Sequence, residues 1–386
     1  MRKIPILVGL FVFAAFCCGF LGGVLYSEQF KHPTKEAEPV YHSKKSPASK
    51  QKPEIKLSNK KVLIGYVQDF RDPASIDYSH MTHAIFSFAH PAKDGNLLLN
   101  GDLAMQNLRS TVEIAHKYNT KVILAVGGWY HIQGGESYEY FKTAIADPSS
   151  RMKLVNELMG IIEREKLDGA DIDFEHPRSI EDARNLSLFT RALSERLHRQ
   201  DRELSIAVYS KVHSVTGTEI KSVVFEPEMF QYVDHVNIMA YDGQYDAGYD
   251  AAYLSPYTFA ANAVEYWSGL FESHKLPKQK LVLGVPVYAQ PEEQSIKQVS
   301  FAAIIEKDPA NEKLDTVSMN GTTYHYNGKV TIQKKTKLAM DHGFGGMMLW
   351  EAGHDARGAN SITKTISEEL ANAEIDSRQQ YYVKNK

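Results

Sequence analysis

From Lys60 onward the chain repeats one pattern: a short run of apolar, β-prone residues, then a longer stretch of helical periodicity, then another short run. The runs fall at 62–66, 83–88, 122–126, 170–174, 204–209, 235–239, 281–285 and 346–350, and helical stretches at 103–117, 151–165, 180–198, 258–274, 332–342 and 362–372 lie among them. Short runs that are apolar on both faces, alternating with helices, predict parallel strands joined by crossovers. Eight of them over roughly 310 residues predict a closed α/β fold, the (β/α)8 or TIM barrel. The competing doubly wound sheet needs a glycine-rich phosphate loop after its first strand, and Gln68-Asp69-Phe70 stands there instead. The connection from Tyr288 to Gly346 holds more than a helix, and Asn320-Gly321 between β-prone stretches predicts a short hairpin insertion between strands 7 and 8.

The residues outside this pattern divide simply. Residues 1–30 open with Arg2 and Lys3 and continue as an apolar run long enough to span a bilayer, so they are read as a signal peptide or N-terminal membrane anchor. The run ends without a strong small-residue cleavage site, which favours a retained anchor. Phe16 ahead of Cys17 disfavours lipidation of the Cys17-Cys18 pair. Residues 31–59, rich in Lys, Pro, Ser and Glu, are read as a flexible linker, and 374–386 as a polar tail. On this reading the domain at 60–373 is exported, either secreted or anchored outside the cytoplasm. Because both cysteines lie in the leader, the domain has no internal disulfide and depends on packing. A net charge of -3, with no basic block in the globular part, argues against nucleic acid and leaves a neutral polymer or small molecule as partner.

One run carries unusual chemistry. In Leu167 to Pro177, strand alternation sets Asp171, Asp173 and Glu175 in a row on one face and Ala170, Ile172 and Phe174 on the other. Like charges at that spacing repel, and any member that is also desolvated keeps its proton to higher pH, as a general acid must. Two other readings stay open at this point: a solvated acidic face, and a calcium loop, although His176-Pro177 stands where such a loop turns on glycine. In a barrel the chemistry lies at the carboxyl ends of the strands. Gly127-Gly128-Trp129, Met239 to Asp242 and Trp350-Glu351 end three other runs.

Asp168-Gly169-Ala170-Asp171-Ile172-Asp173-Phe174-Glu175 resembles the D-G-x-D-x-D-x-E signature of glycoside hydrolase family 18, which includes many chitinases and endo-β-N-acetylglucosaminidases. Four further segments are similar to that family's motifs and occur in the right order: Ala125 to Trp129, Met239 to Asp242, Leu283 to Tyr288 and Gly345 to Trp350. The resemblance implies retaining hydrolysis in which the sugar's own 2-acetamido oxygen is the nucleophile, so the protein supplies one acid and needs neither metal nor cofactor. By the same resemblance Glu175 is that acid, Asp173 orients the acetamido N–H, Asp171 shares a proton with Asp173, and Tyr241 holds the acetamido oxygen. Trp350, Trp129, Met239, Asp242, Tyr66, Phe88 and Tyr288 are the implied substrate-binding residues, whereas Asp168 has the wrong strand parity for the row and is expected to anchor the start of its strand.

The expected substrate is a chitin-like β-1,4-linked N-acetylglucosamine chain, taken by a monomer in a rather open groove because the insertion is short. N-glycan cores or peptidoglycan are the enzyme alternatives, and a non-hydrolytic glycan-binding protein is the alternative outside catalysis.

Overall fold

A computed structural model of the chain describes residues 60–384, with side chains through residue 375. The expected leader and linker lie outside the described residues. In chain order the strands are β1 Val62–Gln68, β2 His83–Pro91, β3 Leu97–Leu98, β4 Lys121–Gly127, β5 Gly169–Asp173, β6 Glu203–Tyr209, β7 His235–Met239, β8 Leu281–Pro286, β9 Tyr288–Pro291, β10 Val299–Ser300, β11 Thr316–Met319, β12 Thr322–His325 and β13 Gly346–Trp350. The helices are α1 Gly101–Lys117, α2 Tyr138–Ala146, α3 Pro148–Arg164, α4 Ile180–Leu197, α5 Tyr257–Ser273, α6 Phe301–Lys307, α7 Lys329–Asp341 and α8 Ile362–Lys384. None of them is long and apolar enough to cross a membrane.

Eight strands pair in the parallel order β1-β2-β4-β5-β6-β7-β8-β13, and β13 pairs back to β1, which closes the barrel expected from the sequence. Closure removes the sheet edge and divides the apolar residues into two groups. The larger group lies between the strands and the surrounding helices. Along α4, for example, Ala183, Leu186, Phe189, Thr190, Leu193 and Leu197 are buried at three- and four-residue spacing, the stripe a helix lays on a sheet. The smaller group fills the barrel itself: Val62, Ile64, Tyr66, Ile85, Ile123, Ala125, Tyr241, Val282 and Met348, with Phe88, Met239 and Trp350 against its upper end.

Local chemistry sets the helix ends. Asp147 accepts from Ser149 N–H at 2.8 Å ahead of Pro148, and Ser179 accepts from Asp182 N–H at 3.1 Å, so α3 and α4 start where their caps stand. Helix α2 is absent from the sequence expectation, because its nine residues are too few for a clear periodicity. A 3-10 turn at Pro227–Tyr232 joins β6 to β7.

The insertion after β8 is a small sheet in the order β10-β9-β12-β11 with α6 beside it. The Asn320-Gly321 turn is there as expected: both residues have positive φ, at 55° and 79°, the conformation of a tight hairpin between β11 and β12.

Candidate active site

Strand β5 is only five residues long and ends at Asp173, so Glu175 stands just beyond the barrel rim while Asp171 and Asp173 point into the barrel. The acidic face is therefore an interior one. Asp171 is completely buried, and such a carboxylate needs donors. It receives Tyr66 Oη–H at 2.8 Å, Ser205 Oγ–H at 2.5 Å and Asn237 Nδ2–H at 3.3 Å, from β1, β6 and β7. Burial pushes its pKa up to about 6, and these hydrogen bonds pull the other way. Strand geometry and these donors together exclude the calcium-loop reading.

Asp173 is also buried, and its Oδ1 has no partner among the described residues. Burial raises its pKa well above the usual carboxylate range, with the charges of Glu175 and Asp171 adding to the effect. Glu175 is half-buried and is raised as well, by desolvation and then by the charge of Asp242. Interacting carboxylates of this kind titrate as a group and hold protons at pH values where a free Glu has lost its own. The column supplies a protonated acid beside a carboxylate oxygen that no described residue satisfies. Asp168, at the other end of β5, accepts from Val122 N–H at 2.7 Å and pairs with His116 at 2.8 Å, which ties the start of β5 to β4 and α1.

The remaining expected residues gather around the column. Trp350 stacks on Phe88 at 5.9 Å between ring centroids and tilts against Tyr66 at 5.4 Å, with Met239 on the same apolar cluster. Tyr241 is nearly buried, and its hydroxyl reaches Met348 Sδ at 3.8 Å. Its ring fits because residue 284 is glycine: a Cβ there would lie 3.0 Å from Tyr241 Cε1 and 2.7 Å from Met348 Cε. Asp242, at positive φ, accepts from Tyr288 Oη–H at 2.6 Å and from Gln244 Nε2–H at 3.2 Å. Trp129 is exposed on the loop after β4, 5.9 Å from His176, whose ring also lies 4.4 Å from Tyr209.

Tyr66 and Tyr288, expected from the sequence to line the sugar site, also support its carboxylates. They are 2% and 3% exposed, and their hydroxyls are committed to Asp171 and Asp242. Three peptide bonds around the site, Ser87-Phe88, Glu175-His176 and Trp350-Glu351, are cis.

Sequence reasoning missed Ser205 and Asn237. Their signal is a polar residue in the middle of an apolar strand, a position that needs a buried partner. The sequence placed Glu351 at the end of its strand but gave no sign that it is buried and held by Arg71 at 2.5 Å, a pair that links the loops after β13 and β1.

The model of the glycosyl hydrolases family 18 matches residues 62–355, most of the chain. The chain belongs to glycosyl hydrolase family 18. This family 18 glycosidase is 24% identical over 375 residues to Chitinase 1 of Aphanocladium album, a match covering 82% of this chain and 85% of that protein. It is 26% identical to a chitinase from Bacteroides thetaiotaomicron, with a TM-score of 0.67 and coverage of 81% of this chain and 96% of that one. A family 18 chitinase from the chitin utilization locus of Flavobacterium johnsoniae shares the fold at a TM-score of 0.66 and 24% identity, over 82% of this chain and 95% of the other.

Proposed function

We propose that this family 18 enzyme hydrolyses β-1,4-linked N-acetylglucosamine chains, chitin or chito-oligosaccharides, with retention and through the substrate's own acetamido group. The observation that carries this reading is the buried Asp173 Oδ1, without a partner among the described residues, beside a Glu175 that keeps its proton. A ligand N–H directed at Oδ1 would satisfy it, and the 2-acetamido group of the sugar offers one.

In the first step Glu175 gives its proton to the glycosidic oxygen as that bond breaks, and the acetamido carbonyl oxygen bonds to the anomeric carbon. Asp173 accepts the acetamido N–H and balances the positive charge of the oxazolinium. Tyr241 donates its hydroxyl to the acetamido oxygen and holds it in line, while Asp171 adjusts its proton share as Asp173 takes up charge. In the second step the Glu175 carboxylate removes a proton from water, and that water opens the oxazolinium from the face the leaving group left. Two inversions at one carbon give retention. No metal or cofactor enters these steps. Trp350, Phe88 and Met239 form an apolar floor for the C–H face of the sugar, and exposed Trp129 offers a further platform.

The name chitinase on the curated relative and on the structural neighbour from Bacteroides thetaiotaomicron supports chitin over N-glycan cores or peptidoglycan, and an intact Glu175 favours turnover over binding alone. Residues 1–30 would export the barrel, residues 31–59 would tether it, and a monomer suffices because every proposed group belongs to one chain.

The test is turnover of N-acetylglucosamine oligomers beside a high-mannose glycopeptide and peptidoglycan. Oligomer cleavage is expected, and Glu175→Gln should lower kcat by about 10²–10⁴-fold while substrate still binds. Near-parental activity of that variant would refute the assignment of the acid. Absence of turnover on all three substrates would leave a binding protein.

A further inference from the structure

The opposite end of the barrel, where the strands begin, carries a second cluster of polar side chains that the proposed hydrolysis does not use. His83, Glu203 and His235 are among the first residues of β2, β6 and β7, and their ligand atoms lie within 4.8 Å of one another. Glu203 Oε2 is 2.8 Å from His83 Nε2 and 3.9 Å from His235 Nε2. Around a tetrahedral ion with ligand bonds of about 2.0–2.2 Å, two ligand atoms stand about 3.3–3.5 Å apart. One measured separation is shorter than that range and the other longer, and shifts of about half an ångström bring both into it.

The atoms turned away from this centre are held from outside. His83 Nδ1 lies 2.7 Å from Thr82 Oγ1, whose hydroxyl also bonds the Leu63 backbone, and Lys121 pairs with Glu203 Oε1. Such outer partners fix ring and carboxylate orientation in metal sites. His235 is the incomplete member. Its Nδ1 is buried without a partner among the described residues, and its Nε2 is too far from Glu203 for a hydrogen bond. Glu203 and Lys121 are partly exposed, so an ion has a way in and water can complete its shell.

We propose that His83, Glu203 and His235 form a site for a divalent transition metal of the zinc class, tying β2, β6 and β7 together at the barrel base. Two imidazoles and one carboxylate suit zinc, cobalt or nickel and not calcium or magnesium. The site is remote from Glu175, so its role is to stabilise the fold.

The full-length protein titrated with zinc sulfate should take up one equivalent at this site and melt at higher temperature, whereas magnesium should give no shift. His235→Ala should abolish the shift and weaken binding at least a hundredfold, and Thr82→Val should weaken it about 10–100-fold, both with normal oligosaccharide turnover. Should these variants fail to fold, cobalt bound to the unaltered protein should show intense tetrahedral visible bands without a sulfur charge-transfer band, the latter marking capture by Cys17 or Cys18. No stoichiometric binding, a six-coordinate cobalt spectrum, or full zinc affinity in His83→Gln/His235→Gln would overturn the proposal.

Discussion

Asp171 is the residue that shows how the column is tuned. A carboxylate sealed inside a barrel would stay protonated, but Tyr66, Ser205 and Asn237 all donate to it and favour its charged form. Its proton affinity is thus set between a fully desolvated acid and a free one. Replacing Tyr66 by Phe removes one donor and keeps the ring against Trp350. The expected outcome is an acidic limb of the kcat/KM profile moved upward by about one pH unit, with substrate affinity little changed. Profiles that superimpose would show that Tyr66 does not act through Asp171. On the proposed mechanism the alkaline limb should lie above the ordinary Glu range, because burial and the charge of Asp242 both hold the Glu175 proton on. Of this network the three acids stand out as charges in an apolar run. Ser205 and Asn237 are inconspicuous in sequence, since a small polar residue inside a strand says nothing of its partner one or two strands away.

At the level of elements, the site depends on how closely strand ends approach. Gly127 closes β4 at φ 122°, and a Cβ there would lie 2.0 Å from the carbonyl oxygen of Asp173. That same carbonyl accepts Gly128 N–H at 2.9 Å. Only glycine permits the contact, so Gly127→Ala should push β4 off the end of β5 and displace Asp173 and Glu175 together. The expected result is at least a tenfold loss of kcat together with a melting point lower by several degrees, since backbone strain of this kind costs on the order of 1–3 kcal/mol. Full activity in that variant would show that the approach can relax. The glycine pair is visible in the sequence as a motif, but the carbonyl it accommodates becomes visible only when two strands 40-odd residues apart pair in register, Gly127 with Asp173.

For the whole molecule, the buried acids have a consequence for stability. Asp171, Asp173, Glu175 and Asp242 all bind protons more tightly when folded than when unfolded. Their contribution is favourable below the ordinary carboxylate range near pH 4, where both states are protonated. It is lost as pH rises through the folded-state values, about 6 for Asp171. Asp173→Asn and Glu175→Gln, which stay neutral, should therefore melt a few degrees above the parent at pH 7 and level with it near pH 4. Equal melting at pH 7 would show that the acids impose no such cost. A chain beginning at Lys60 should fold and turn over oligosaccharide like the full chain, as circular dichroism and a turnover assay would show, because the packed barrel is complete from β1 onward.

The sequence by itself determined the barrel, its eight strands and the hairpin at Asn320-Gly321, and it marked out an acidic row in an apolar run, because strand period, turn chemistry and charge patterning are local properties. Only the tertiary structure decided that the acidic face looks inward, that Tyr66 and Tyr288 lend their hydroxyls to carboxylates, that Asp173 Oδ1 meets no partner among the described residues, and that His83, Glu203 and His235 meet at the base. Each of these depends on residues far apart in the chain, which come together only when the barrel closes.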